Sequence, residues 1–341
     1  ISEAGSKPEI VSADGVAGLL SMLGGEAAGE LESARAICSL SEFTGSHAAL
    51  ATGLDSLVRL ADASSASRDF AITTLHRLAG GGDAFAQAAM ASSEAAIALL
   101  VKQLGSSSTS VSRAQAVSSL LRLCGSAESK GLIVSSGGVA ALVAVAHADS
   151  VPAAARREAA LVIASLSTTL HHAVIASTGG VEVLINALSA PSCDAEMTSA
   201  AAVALRELVA CDAGRSSLLS MGVPSCVKLL SDPNSEVRLN GLDLLDALVT
   251  DAAGLACVCD ASPAVPLLGM LTEVNALPQT ISLLHTISSV NVTHRPIIDA
   301  GGVPLLLLLL SHELPAVHEH ALATLAAITS LLQSMVVSPS D

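Results

Sequence analysis

The sequence predicts a right-handed, all-α solenoid of about eight three-helix repeats, and three observations predict it. One short motif recurs: KPEIVSADGVAGL (7–19), KGLIVSSGGVAAL (130–142), HHAVIASTGGVEVL (171–184), GRSSLLSMGVPSC (214–226) and HRPIIDAGGVPLL (294–306). The apolar residue after its glycine gives markers at Val16, Leu54, Ile97, Val139, Val181, Val223, Val265 and Val303, spaced 38, 43, 42, 42, 42, 42 and 38 residues apart. Between successive markers lie two further stretches with helical apolar spacing, parted by a polar loop. A constant period of this size marks stacked units, each burying its apolar faces against its neighbours. The expected organisation is one such array over residues 1–341.

Composition agrees. Of the 341 residues 51% are hydrophobic but 1% aromatic, with no Trp, no Tyr, and Phe43, Phe70 and Phe85 as the three phenylalanines. The apolar content is therefore Ala, Leu, Val and Ile, which pack helix on helix at close range. A formal net charge of −15, from 16 basic and 31 acidic residues, repels phosphate backbones. Nucleic acid is excluded as an expected partner, since its binding rests on clustered Lys and Arg. Anionic membrane surfaces are disfavoured for the same reason.

The leucine run Leu305–Leu310 raises the question of a membrane span, which needs about 20 continuous apolar residues. The run is bounded by Pro304 and by Ser311-His312-Glu313. Two longer uncharged windows, 159–181 and 321–340, are interrupted by His171, His172 and Gly179-Gly180 in the first and by Thr324, Thr329, Ser330, Gln333 and Ser334 in the second. No span is expected. The opening ISEAGSKPEI has neither the basic start nor the apolar run of a secretory signal.

Each marker opens the second helix of its repeat, with apolar residues three and usually seven positions on: Leu57, Leu100/Leu104, Leu184/Leu188, Cys226/Leu230 and Leu306/Leu310. The six leucines belong to this series. A helix inside a stack is covered on several sides, so an all-round apolar surface is expected there. After loops such as SAPSCDAEM and SDPNSEV, a third helix carries a small residue followed by two apolar ones at +4 and +7. The sets are Ala36/Leu40/Phe43, Ala71/Leu75/Leu78, Ala116/Leu120/Leu123, Ala159/Ile163/Leu166, Ala201/Leu205/Leu208, Gly241/Leu245/Leu248, Thr280/Leu284/Ile287 and Ala321/Leu325/Ile328. A short first helix, RPIID for example, leads into the glycine turn, where Gly supplies backbone angles that other residues resist.

The short first helix, the Gly-Gly-Val turn, the PLLLLL second helix and the AxxxLxxL third helix resemble the armadillo repeat family, over essentially the whole chain. The two-helix HEAT architecture lacks the glycine turn. The resemblance implies a superhelix whose third helices line a concave groove for extended peptides or partner helices. The family's best-known peptide sites use a ladder of Trp and Asn on those helices. Carried over, the Asn rung falls on Glu42, Arg77, Arg122, Ser165, Glu207, Ala247, Thr286 and Ala327, and the Trp rung on Cys38, Thr73, Ser118, Leu161, Val203, Asp243, Ser282 and Ala323. Neither Asn nor Trp stands on its rung, which argues against a nuclear-import adaptor.

The expected groove instead carries Arg77 and Arg122 toward the amino-terminal half and Glu207, Asp243 and Asp246 toward the other. These five are the candidate partner-binding residues, favouring an acidic segment at one end and a basic one at the other. The function expected is a non-enzymatic scaffold or adaptor binding other proteins, as a subunit of a larger complex in a reducing, cytoplasmic setting. Family-level alternatives are the substrate-binding half of a U-box ubiquitin ligase, a ciliary or cytoskeletal assembly component, and a vacuolar-type adaptor.

No catalytic, metal or cofactor site is expected. The cysteines at 38, 124, 193, 211, 226, 257 and 259 lack paired metal spacing, and an odd number without framework spacing points to free thiols. His171-His172 and His318-Glu-His320 lack the HExxH arrangement. GGGD at 80–83 lacks the Lys-Ser/Thr of a phosphate loop and reads as an interhelical loop. Asn291-Val-Thr293 matches a glycosylation acceptor without a secretory context. Register counted back from Val16 reaches Ile1 where a preceding third helix would be ending, and 321–337 carries no charge. These suggest a stretch of a longer array, or partners at its ends.

Overall fold

The computed structural model describes residues 7–12, 14–23, 27–63, 66–105, 108–167, 171–189 and 194–337. Among them are twenty-four α-helices and no strand, and the helices fall into eight sets of three. The chain forms two compact units, 1–180 and 181–341.

In the first unit the repeats run Lys7–Ser12, Gly15–Ser21, Ala27–Leu40; then His47–Ala51, Leu54–Asp62, Arg68–Gly80; then Ala84–Ser92, Glu94–Gln103, Ser110–Leu123; then Ala127–Ser135, Gly138–Ala146, Ala153–Leu166. The first helix of the fifth repeat, His172–Ser177, belongs here too. The second unit holds Gly180–Ser189 and Ala195–Leu208 of that repeat. The sixth repeat follows as Asp212–Met221, Val223–Leu229 and Ser235–Leu248, and the seventh as Ala252–Asp260, Ala264–Met270 and Leu277–Ser288. The eighth is His294–Asp299, Gly302–Leu309 and Pro315–Val337.

The turn has two glycines because it makes two demands. Gly137 and Gly301 adopt φ of 77° and 76°, the left-handed region where a Cβ is strained. The glycine after each, Gly138 or Gly302, lies against the first helix, where a Cβ would come 2.6 or 2.7 Å from Ile133 Cγ2 or Ile297 Cγ2. The polar loops supply helix caps. Asp194 accepts from the Met197 N–H at 2.9 Å and Asn234 from the Glu236 N–H at 2.8 Å, each satisfying an orphan donor of a third helix. GGGD is an interhelical loop as expected, and its Asp83 caps the next helix through the Ala86 N–H.

The core lies along the third helices. Leu75, Leu120, Ile163, Leu205, Leu245 and Leu284, with the residues three further on, are buried at 2% exposure or less. Three places differ from expectation; in the eighth repeat Leu325 of the expected Ala321/Leu325/Ile328 set is only half-buried while Thr324 is buried. In the first repeat the buried set is Ser33, Ile37 and Leu40, three residues before Ala36/Leu40/Phe43, because the helix ends at Leu40. In the seventh, Ala264 takes the inward marker place and Val265 is 63% exposed. There Pro263 starts the helix one residue earlier than the Val-Pro pattern suggests.

The leucine run forms a short helix, Gly302–Leu309, but it is not covered all round: Leu306 and Leu309 are buried while Leu307 and Leu308 are exposed. Among the described residues no single helix is long and apolar enough to cross a membrane. Four helix pairs have the joint length but bend by 81° to 92° at their breaks, as the pair through Gly301-Gly302 does.

Candidate binding surface on the third helices

In the first unit the third helices are tied together by cations. Arg77 Nη1 donates to the Cys38 carbonyl at 2.6 Å and to Ser41 Oγ at 3.2 Å, near the end of the preceding third helix. That helix end presents unpaired carbonyls, which a guanidinium both satisfies and complements electrically. Arg77 Nη2 also reaches Glu42 Oε1 at 3.3 Å, while Lys7 Nζ holds Glu42 Oε2 at 2.8 Å. The Lys7 hydrogen bond and charge, with the charge of Arg77, hold the Glu42 carboxyl below its usual range. Arg77 is thus largely occupied within the fold. Arg122 is exposed, donates to the Gly80 carbonyl at 3.3 Å, and has no ion pair among the described residues.

The second unit has the opposite balance. Arg206 spans two carboxylates, Glu207 Oε1 at 3.0 Å and Asp243 Oδ2 at 3.1 Å. Gln279 on the following third helix donates to Asp243 Oδ1 at 2.8 Å. Asp246 lies one turn further along the same helix, exposed, and no ion pair is recorded for it among the described residues. Desolvation by its surroundings and then the Asp243 charge raise the Asp246 carboxyl above the usual range. A cation brought there would relieve that strain on the charged form.

The structure therefore brings Glu207 and Asp243 together through Arg206, sets Asp246 beside Asp243, and leaves Arg77 spent on the Cys38 carbonyl, Ser41 and Glu42. Sequence reasoning missed Arg206, Lys7 and Gln279, since each acts on a residue from another repeat or another helix. Position along the repeat was the available signal: Arg206 immediately precedes Glu207 and sits one residue past core Leu205.

A separate cleft of about 410 Å³ lies between two second helices, with Val58 and Leu99 in its wall and Asp55, Arg59, Asp62 and Lys102 at its rim. Its Lys102–Asp62 pair closes on itself and lowers the Asp62 carboxyl. Among the described residues no three His, Cys, Asp or Glu converge as metal ligands do. The six described cysteines are free thiols, and Cys193 lies outside the described residues. The glycosylation triplet is occupied internally: the Thr293 hydroxyl is buried and donates to the Ile287 carbonyl at 2.9 Å.

No protein-family model and no curated protein matches this sequence. Solved structures do. An engineered protein from a structural genomics consortium shares 27% identity, with a TM-score of 0.68 over 98% of this chain and 84% of that one. A computationally designed armadillo repeat protein for modular peptide recognition has a TM-score of 0.56 at 20% identity, over 68% of this chain and 99% of its own. A designed armadillo repeat protein in complex with the peptide (KR)4 has a TM-score of 0.53 at 20% identity, over the same shares, 68% and 99%. With the three-helix repeats and glycine turns, these establish an all-α, armadillo-like repeat solenoid.

Proposed function

We propose that this armadillo-like repeat protein is a non-enzymatic scaffold that binds segments of other proteins on its third-helix surfaces, within a larger assembly. The fold supports this reading, since designed proteins of the same fold recognise peptides. The acidic surface of the second unit takes a Lys/Arg-containing segment, with Asp246 as the principal acceptor and Asp243 and Glu207 beside it. The single observation that carries this is Asp246: an exposed carboxylate one turn from a second carboxylate, its carboxyl raised above the usual range by desolvation and then by the Asp243 charge. In the first unit Arg122 plays the complementary part for an acidic segment, with Arg77 behind it.

The test is titration of an alternating Lys/Arg peptide into the protein, followed by calorimetry at low and high salt. Asp246→Asn is expected to weaken binding about tenfold, equivalent to ~1.4 kcal/mol, and added salt to weaken it further. Affinity unchanged by both the substitution and salt would overturn the assignment.

A further inference from the structure

Two places in each repeat set the outward face of its second helix. Counted from the inward residue that opens the helix (Leu54, Ile97, Ala264 and their equivalents), the residues one and five places on are exposed in all eight repeats. Being four residues apart, they stand one above the other on that face. The second repeat alone carries an acid and a base there, Asp55 and Arg59; in every other repeat at most one of the two is charged.

This helix borders the cleft of about 410 Å³ between Leu54–Asp62 and Glu94–Gln103. The facing helix presents Ala95 and Ala98 to the cleft, both exposed, where longer side chains would fill the space. Val58 and Leu99, 8% and 4% exposed, complete its apolar lining.

The rim has a spent half and a free half. Lys102 and Asp62 pair with each other. Asp55 makes no ion pair among the described residues, and neither does Arg59, whose guanidinium donates to Ser56 Oγ of its own helix at 3.4 Å. Opposite charges one turn apart thus face solvent unpaired beside an apolar cleft.

That pattern suits a helix better than an extended segment. The walls are helices whose backbone groups are already paired. An extended chain would press its own N–H and C=O groups against Val58, Ala95 and Leu99 without partners, whereas a helix satisfies its own. Residues four apart on a helix also share a face, so an acid and a base at that spacing meet Arg59 and Asp55 together.

We propose that this cleft docks an amphipathic helix of a partner protein. The docked helix carries a carboxylate for Arg59, a Lys or Arg four residues away for Asp55, and an apolar side chain between them for the cleft. The surface lies on the second helices and does not rest on the third-helix reading above.

The probe is a dye-labelled, alanine-based helical peptide with Glu at one place, Leu three residues on and Lys four residues on. Fluorescence anisotropy at low salt follows its titration with the 341-residue chain. Saturable binding is expected. Asp55→Lys should weaken it about tenfold by setting like charges together, with helical circular dichroism and Tm unchanged because the side chain is exposed. A second peptide, with its Lys replaced by Glu, should recover the lost affinity on that variant. Asp246→Asn should leave binding of the first peptide unchanged, which separates this cleft from the third-helix surface. Absence of binding, affinity indifferent to Asp55→Lys, no recovery with the second peptide, or loss of binding in Asp246→Asn would each overturn the proposal.

Discussion

Ser129 donates its hydroxyl to the carbonyl oxygen of Leu123 at 2.6 Å, closing the end of one third helix onto the first helix of the next repeat. The same place, six residues past the last core residue, recurs along the chain. Ser46 bonds the Leu40 carbonyl at 2.7 Å and Thr293 the Ile287 carbonyl at 2.9 Å. Gly214 and Gly254 stand at the equivalent positions, where a Cβ would press into the Leu208 or Leu248 carbonyl oxygen. At these five positions the place holds a hydroxyl that bonds the carbonyl or no side chain at all.

Ser129→Ala leaves a buried carbonyl without its donor, and the expected loss is about 1–3 kcal/mol. Gly254→Ala places a methyl on the oxygen itself, so a loss at least as large is expected. Urea melts of the two variants check this; wild-type stability in Gly254→Ala would refute the crowding.

Burial pushes the Cys124 and Cys226 thiols up to about 12, and burial with the Asp260 charge pushes Cys259 up to about 11. The thiolate is the reactive form, so these three should stay unlabelled by a maleimide at neutral pH in the folded protein. All seven cysteines should label once the chain is unfolded without reductant. Intact-mass spectrometry counts the adducts, and fewer than seven would reveal a disulfide.

Desolvation lowers the His76 imidazole to about 4, and its Nδ1 lies 2.7 Å from Ser119 Oγ. The unfolded chain takes up a proton near pH 6.5 while the folded chain holds its histidine neutral to about 4. Between those values the unfolded state binds more protons, so stability is full above pH 6.5 and falls as pH drops through about 4. His285, lowered by burial and then by the charge of His320, acts in the same direction. His76→Gln should flatten part of the stability profile between pH 7 and 4.5, read by denaturant midpoints; an unchanged slope counts against the burial of this ring.

Arg206 neutralises the acidic surface more than it supports the fold. Its pairs with Glu207 and Asp243 are each more than a third exposed, and such pairs contribute at most about 1 kcal/mol. Arg206→Ala should therefore leave Tm nearly unchanged and tighten binding of a Lys/Arg peptide. Weaker binding would show that Arg206 itself contacts the ligand.

The sequence alone determined the repeat count, the glycine turns and the third-helix core from Ala71 to Ile287. Each of those rests on local rules: a 3.6-residue period, a backbone angle that glycine tolerates, a small residue where two helices touch. It misplaced Val265 by one residue and the first core set by three, because a single apolar pattern fits adjacent frames until neighbouring helices choose between them. The charges were legible as positions but not as partners. Whether Arg77 faces solvent or the Cys38 carbonyl, and whether Asp243 is free or held by Arg206 and Gln279, depends on residues 36 to 39 places away. Long flexible side chains reach across repeats, and packing of one third helix on the next decides which of them meet. Tertiary structure likewise decided that Leu307, indistinguishable from its neighbours in a run of six leucines, stands exposed while Leu306 is buried.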